Sequence, residues 1–272
     1  MDVTEMHVIQ KRLLVGLLEW ACQRIELTEA QAALAAERYG TIGRWLGNGE
    51  HPLLADATIY PQGSARHRTT VRPVHRLEHD IDLICELPHT SRELQVSRVH
   101  GLVGNRLREH ETYREMLEPI NRGWRLNYAG EFHLDITPAV PDSAQGGGAV
   151  LVPDRALKAW KESHPKGYAA WFDEIANIKV LLSQEGRRVI RAGVEPLPED
   201  VPIRGPLRRI VQMMKRHRDQ LYLAKSADDL CNAPVSIVLT TLATQAFHQI
   251  AGQFIYADEF ELLRTLVRVM PQ

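Results

Sequence analysis

His79-Asp80-Ile81-Asp82-Leu83-Ile84 alternates as a β-strand does, and its period of two sets Asp80 and Asp82 on one face. Further along, Phe132-His133-Leu134-Asp135-Ile136-Thr137 repeats the pattern. Phe132, Leu134 and Ile136 share one face, while Asp135 points the other way, between His133 and Thr137. If the two strands are neighbours, three carboxylates converge on one spot. Ionised carboxylates so placed repel one another unless a cation sits among them. Hard oxygen ligands suit Mg2+ or Mn2+, which keep several waters and coordinate substrate phosphates as well. Two such ions can clamp the attacking and leaving oxygens of an in-line phosphoryl displacement. An isolated Asp-x-Asp is more often a plain polar strand face; the third aspartate and the preceding motif narrow the reading.

That preceding motif is Gln62-Gly63-Ser64, a predicted turn at the end of a short strand, Ala57-Thr-Ile-Tyr60. Glycine lets backbone approach a phosphate closely, and Ser64 can donate hydroxyl and N–H bonds to its oxygens. A Gly-Ser pair by itself is a turn and nothing more. Gly-Ser, a spacer, Asp-x-Asp and a later strand aspartate, in that order, form a far more specific signal.

Around this centre the pattern predicts a helix over residues 5–20, then a capping box at Thr28-Glu-Ala-Gln31 opening a helix to Leu46. A helical stretch over residues 91–111 follows the Asp-x-Asp strand, and Trp124–Ala129 reads as the hairpin partner of the Asp135 strand. Asp142-Ser-Ala-Gln-Gly-Gly-Gly148 reads as a flexible connection. Beyond residue 160 the signals are helical only, over 167–185, 206–222 and 234–250. The fold class predicted is α+β, a mixed-sheet lobe over residues 1–155 with N-terminal helices, joined to a helical lobe over 156–272.

The composition is that of an ordinary globular chain, with 44% hydrophobic and 25% charged residues in 272. Lys and Arg number 33 against 34 Asp and Glu, a balance that disfavours a protein devoted to wrapping long nucleic acid. It leaves local patches open. Cys22, Cys85 and Cys231 lie far apart in no metal-ligand spacing, which suits a reducing compartment. The N-terminus carries acidic residues where a signal peptide has positive charge, and no apolar run is long enough to span a bilayer. A soluble cytoplasmic protein is expected.

Tyr60-Pro-Gln-Gly-Ser-Ala-Arg-His-Arg-Thr-Thr-Val-Arg-Pro73 followed by Glu78-His-Asp-Ile-Asp-Leu-Ile-Cys85 resembles the signature of DNA-polymerase-β-like nucleotidyltransferases. Within them the chain is most similar to the bacterial cGAS/DncV-like enzymes (CD-NTases), the second-messenger synthases of CBASS anti-phage defence. His133-Leu-Asp-Ile-Thr-Pro-Ala-Val140 matches the third carboxylate of that family. Val152-Pro-Asp154, Trp160 and His164-Pro-Lys-Gly-Tyr-Ala-Ala-Trp-Phe172 resemble the stretch leading into its helical lobe. The resemblance covers roughly residues 10 to 250.

The resemblance implies an active site in the cleft between the lobes, with two Mg2+ (or Mn2+) ions held by Asp80, Asp82 and Asp135. It implies Gly63 and Ser64 as nucleotide-binding residues. Arg208-Arg-Ile-Val-Gln-Met-Met-Lys215 looks like the helix whose lysine binds the triphosphate, with Leu207, Ile210, Val211 and Met214 as its buried stripe and Lys215 at the flank. Ser236 resembles the serine that also touches the triphosphate, in the first turn of a helix after Pro234. Six Lys/Arg and no Asp/Glu between Arg204 and Arg218 would form a basic wall for the phosphates. Nucleoside triphosphates are the implied substrates, and a separate CBASS effector the implied reader of the product. Further helical residues beyond Gln272 are also implied.

Two positions depart from the family pattern. Arg68 stands where relatives usually have glycine before Thr-Thr, and Ile237 follows Ser236 where some have a base-stacking aromatic. Tyr60 and Tyr168 are the substitutes considered for stacking. Trp160, Trp171 and Phe172 are expected as core between the lobes, and His75, His79 and His133 as neighbours of the site rather than metal ligands. Two other readings stay open: a nucleotidyltransferase that modifies RNA, a protein or a small molecule, and a non-catalytic nucleotide-binding module.

Overall fold

The computed structural model describes residues 3–72, 79–128, 130, 132–183, 205–223 and 232–270. The chain opens with α1 (Val3–Ile25) and α2 (Glu29–Gly47). The capping box forms as predicted. Gln31 N–H donates to Thr28 Oγ1 at 3.2 Å, and Thr28 N–H donates to Gln31 Oε1 at 3.0 Å. These bonds satisfy donors that the first helical turn leaves without intrahelical partners.

There follow β1 (Thr58–Pro61), α3 (Gly63–His67), β2 (His79–Glu86), α4 (Val96–Arg108) and α5 (Glu111–Met116). Next come β3 (Leu117–Ile120), β4 (Gly123–Tyr128), β5 (Phe132–Pro141), β6 (Val150–Asp154), β7 (Ala159–Ser163) and α6 (Pro165–Ala176). The strands make one mixed sheet in the order β1-β2-β5-β4-β3, with β6 joined to β5 and β7 to β6. β2 and β5 run parallel and the other neighbours antiparallel. The predicted mixed α and β architecture is therefore present.

Alternation decides the faces. Ile81, Leu83 and Cys85 of β2 and Phe132, Leu134 and Ile136 of β5 enter one core with Trp124 and Leu126 of β4. Phe132, Leu134 and Ile136 are at most 1% exposed, and each contributes about 1.5–3 kcal/mol by leaving water. α4 lies under this face through Val99, Val103 and Leu107, a helical stripe. Contact is close enough that a Cβ on Gly104 would fall 2.1 Å from the Trp124 ring.

Several local expectations need correction. Gly63-Ser64 is more than a turn: Gly63, at φ +57, starts the five-residue helix α3. The 142–148 stretch is a closed loop joining β5 to β6, with Gly146 N–H on Asp142 O at 2.9 Å and Asp142 N–H on Ala149 O at 3.0 Å. Helices alone do not follow residue 160. β7 pairs with β6, and β8 (Leu181–Leu182) pairs with β9 (Ile255–Tyr256). β7 carries Lys161 and Glu162 side by side, so it lacks the apolar alternation that marks a half-buried strand. The helix expected over 167–185 ends at Ala176.

The remaining helices are α7 (Pro206–Leu223), α8 (Ser236–Ile250) and α9 (Glu259–Val269). By contact the chain divides into a sheet unit, Leu27–Trp171, and a second unit, Met1–Glu26 with Phe172–Gln272. The division thus falls at 171/172 rather than at the expected 155/156, and α1 belongs to the second unit rather than to the sheet lobe. In the second unit, α7 buries Leu207, Ile210 and Val211 as predicted, while Met214, expected in the same stripe, is only partly buried. Lys215 is buried as well, at 3% exposure, rather than lying at the flank. It continues the 207, 211, 215 row, one side of the helix at a spacing of four.

Candidate active site

The register of the two central strands builds the site. Asp82 on β2 stands opposite Asp135 on β5, and Asp80 stands opposite His133. Since their apolar neighbours fill the core beneath, all three carboxylates share the other face of the sheet. Asp80, near the start of β2, has a side chain 54% exposed; Asp135, flanked by β2 and β4, is 14% exposed. Asp80, Asp82 and Asp135 are thus on one face, as predicted.

Gly63 and Ser64 are brought to the same strand. The Gln62 N–H donates to Asp82 O at 2.9 Å, which ties the turn after β1 to β2. Gly63 then passes so close that an added Cβ would lie 2.7 Å from Asp82 Oδ2, and its φ of +57 suits glycine besides. Ser64 accepts a bond from Thr70 Oγ1 at 3.3 Å, and its carbonyl takes Thr69 N–H at 2.9 Å. Arg68, the departure from the family pattern, closes α3 in the left-handed region at φ 57, ψ 39. This is a helix-ending position where glycine has no steric cost, which explains the usual residue.

Sequence reasoning missed Arg125. It lies on β4 directly opposite Asp135. Its guanidinium donates to both Asp135 oxygens, Nε at 2.7 Å and Nη2 at 2.8 Å, and Nη2 also reaches Asp80 Oδ1 at 3.3 Å. The hydrogen-bonded Asp135 carboxylate holds the guanidinium charged well above its ordinary range, against the opposing effect of burial. The signal was there to be found: in Trp124-Arg125-Leu126 the apolar neighbours point into the core, so Arg125 faces the aspartates.

Among the described residues, no three His, Cys, Asp or Glu side chains are gathered closely enough to hold a metal ion. Arg125 takes the cationic place between Asp80 and Asp135. The donor set itself, carboxylate oxygens on a partly exposed sheet face, fits a hard divalent cation in its chemistry. His75 falls outside the described residues.

The stacking candidates are already engaged. Tyr60 donates its hydroxyl to Glu86 Oε2 at 3.0 Å, and Lys166 Nζ lies 4.5 Å from its ring centroid while also bonding Glu86 at 2.8 Å. Burial, and then the Glu86 charge, push the Tyr60 phenol far above its usual range. Tyr168 meets the rings of His67 and Trp171. Trp160 donates its indole N–H to Arg92 O at 3.1 Å and packs on the sheet core.

In the second unit, Ser236 is the first residue of α8, as expected after Pro234. Its hydroxyl accepts from Arg218 Nη1 at 3.0 Å, and the same nitrogen bonds Pro234 O at 3.1 Å. The expected basic wall is largely paired within its own unit. Arg208 bonds Asp173 at 2.7 Å, Arg218 bonds Asp219 at 2.6 Å, and Arg209 pairs with Glu19 and Glu259. Arg204 lies outside the described residues.

Comparison with known proteins bears on the family and the fold. A family described as the Second Messenger Oligonucleotide or Dinucleotide Synthetase domain, SMODS, matches residues 17–176. A c-di-GMP synthase of Roseivirga ehrenbergii is 32% identical over 253 residues, covering 92% of this chain and 64% of that protein. The chain therefore spans less than two thirds of that relative's length. Among solved structures, the CD-NTase CdnG of Bradyrhizobium diazoefficiens in complex with GTP superposes with a TM-score of 0.69 at 20% identity, over 94% of this chain and 76% of that one. GTP-bound DncV of Vibrio cholerae gives 0.55 at 18%, over 90% and 58%. At such identities these structures speak for the fold.

Proposed function

The chain belongs to the SMODS family, and on that premise we propose that it is a template-independent nucleotidyltransferase joining nucleoside triphosphates into a cyclic or short linear oligonucleotide second messenger. The observation that carries the reading is the register of Asp82 against Asp135 on parallel strands, with Asp80 on the same face. This register lets carboxylates from two strands serve one reaction centre.

In this reading Asp80, Asp82 and Asp135 hold two Mg2+ or Mn2+ ions. When bound, the ions offset the charge of the phosphates and lower the barrier to attack on the α-phosphorus. Asp135 orients the acceptor sugar hydroxyl and accepts its proton, and pyrophosphate leaves as the new phosphodiester forms. Gly63 and Ser64 receive the donor phosphates beside Asp82. Lys215 and Ser236 are the nucleotide-binding residues of the second unit, Ser236 with the free N–H groups at the start of α8. The product acts in anti-phage defence through a separate effector protein, in the cytoplasm where the substrates are made.

The test is incubation with mixed labelled nucleoside triphosphates and Mg2+ or Mn2+, followed by mass spectrometry of the nuclease-treated products. Asp80→Ala with Asp82→Ala is expected to lower product by about a thousandfold or more. Product formation undiminished in that variant removes the assignment. Binding of ATP with neither pyrophosphate release nor transfer to any acceptor would favour a non-catalytic module instead.

A further inference from the structure

Resting on the proposed reading of the carboxylate face, we infer that Arg125 is a positioning residue that stands in for a divalent cation in the metal-free protein, releasing Asp80 but keeping Asp135 when a cation binds. The two contacts differ in kind. Asp135 receives a two-point fork at 2.7 and 2.8 Å on a largely buried side chain, the geometry of a strong charge-assisted pair. Asp80 receives one bond at 3.3 Å on a side chain 54% exposed, beyond the usual length for such bonds.

The sheet enforces the difference. Arg125 and Asp135 face each other across an antiparallel pair, so the two strands hold the partners of the fork in register. Asp80 lies on β2, the strand beyond β5, and reaches Arg125 from the rim. A carboxylate oxygen has two lone pairs, so the fork leaves Asp135 one acceptor site on each oxygen. Asp135 can thus hold Arg125 and a further ligand together, and the long, exposed contact to Asp80 is the one that gives way.

Arg125 then has two opposed effects. It keeps Asp135 ordered without metal, and its positive charge weakens binding of an incoming cation. The test uses the full chain stripped of metal, with Mn2+ added alone and the free ion followed by electron paramagnetic resonance. Arg125→Met is expected to bind Mn2+ about tenfold more tightly than the wild type, since a nearby positive charge has gone. Arg125→Lys, which keeps that charge, is expected to stay within about twofold of the wild type. With nucleoside triphosphates both variants turn over more slowly, because neither presents a fork to Asp135. Tighter binding with slower turnover is a combination that a residue merely propping the fold does not produce.

Unchanged or weaker Mn2+ binding by Arg125→Met overturns the inference, and so does a lysine variant that binds as the methionine variant does. Thermal denaturation with EDTA and with Mn2+ covers the case of a destabilised variant: Mn2+ must raise the melting temperature of Arg125→Met more than that of the wild type, and a smaller rise also overturns it. Pyrophosphate release by the wild type is measured separately. Its absence beside the expected Mn2+ series strikes the proposed reaction alone; its presence beside a failed series strikes the role of Arg125 alone.

Discussion

Gly63 carries two demands at one atom: a left-handed backbone and no side chain within reach of Asp82 Oδ2. Gly63→Ala meets neither. The left-handed conformation costs about 1–2 kcal/mol for a residue with a Cβ, and the Cβ must also displace the carboxylate. We expect urea denaturation to show an unfolding free energy lower by at least that amount, with a lower midpoint, and a fall in turnover larger than stability explains, because Asp82 has been moved. Retention of both rate and midpoint would show that the Asp82 carboxylate has room to shift. Arg68 presents the same backbone conformation with the opposite residue choice. Its strain was foreshadowed in the sequence as a departure from a glycine pattern, but the reason became visible only as a helix cap.

Among the elements, β2 and β5 were legible because strict alternation ties each aspartate to a face. Arg125 was not singled out: the alternation of Trp124-Arg125-Leu126 gives its face, but its pairing with Asp135 appears only with the cross-strand register. β7 and the β8–β9 pair were missed because short strands carrying adjacent charges, or only two residues long, have no periodicity to detect. Lys215 was misplaced by reading the stripe of α7 one residue type at a time, as though charge alone kept a side chain at the flank. The α4–β4 contact gives a direct test: Gly104→Val drives a side chain into Trp124 and should cost about 1–3 kcal/mol or more by chemical denaturation. A second concerns Arg209, which ties α7 to Glu19 of α1 and Glu259 of α9. Arg209→Met leaves those carboxylates without their cation and should cost about 3–5 kcal/mol near pH 7. Burial raises the Glu259 carboxyl, with Arg209 opposing the rise. Without Arg209 the rise grows, so the native state holds its proton more firmly than the unfolded chain. The variant's deficit must therefore shrink as pH falls from about 7 to about 5 and widen as pH rises. A deficit independent of pH would argue that Arg209 acts by packing alone.

At the scale of the whole molecule, the balanced charge of 33 against 34 conceals an uneven distribution: carboxylates share a face of the sheet unit, and a run of cations lies in α7. Ligand linkage tests whether both serve one nucleotide. A non-hydrolysable triphosphate with Mg2+ at about a hundred times its dissociation constant should add about 2.7 kcal/mol of stability. EDTA should abolish most of that gain, and Lys215→Ala should reduce it. A gain indifferent to EDTA would separate nucleotide binding from the carboxylate face. The assignment of α1 to the second unit has a further bearing, on how the chain is made. The sheet unit draws its contacts from residues 27–171, but Glu19 waits for Arg209, 190 residues downstream. At about 5–20 residues per second that wait is about 10–40 s. Throughout it Leu13, Leu17 and Trp20, still well exposed in the finished fold, belong to a helix without its partners. A segment made early is thus among the last to dock.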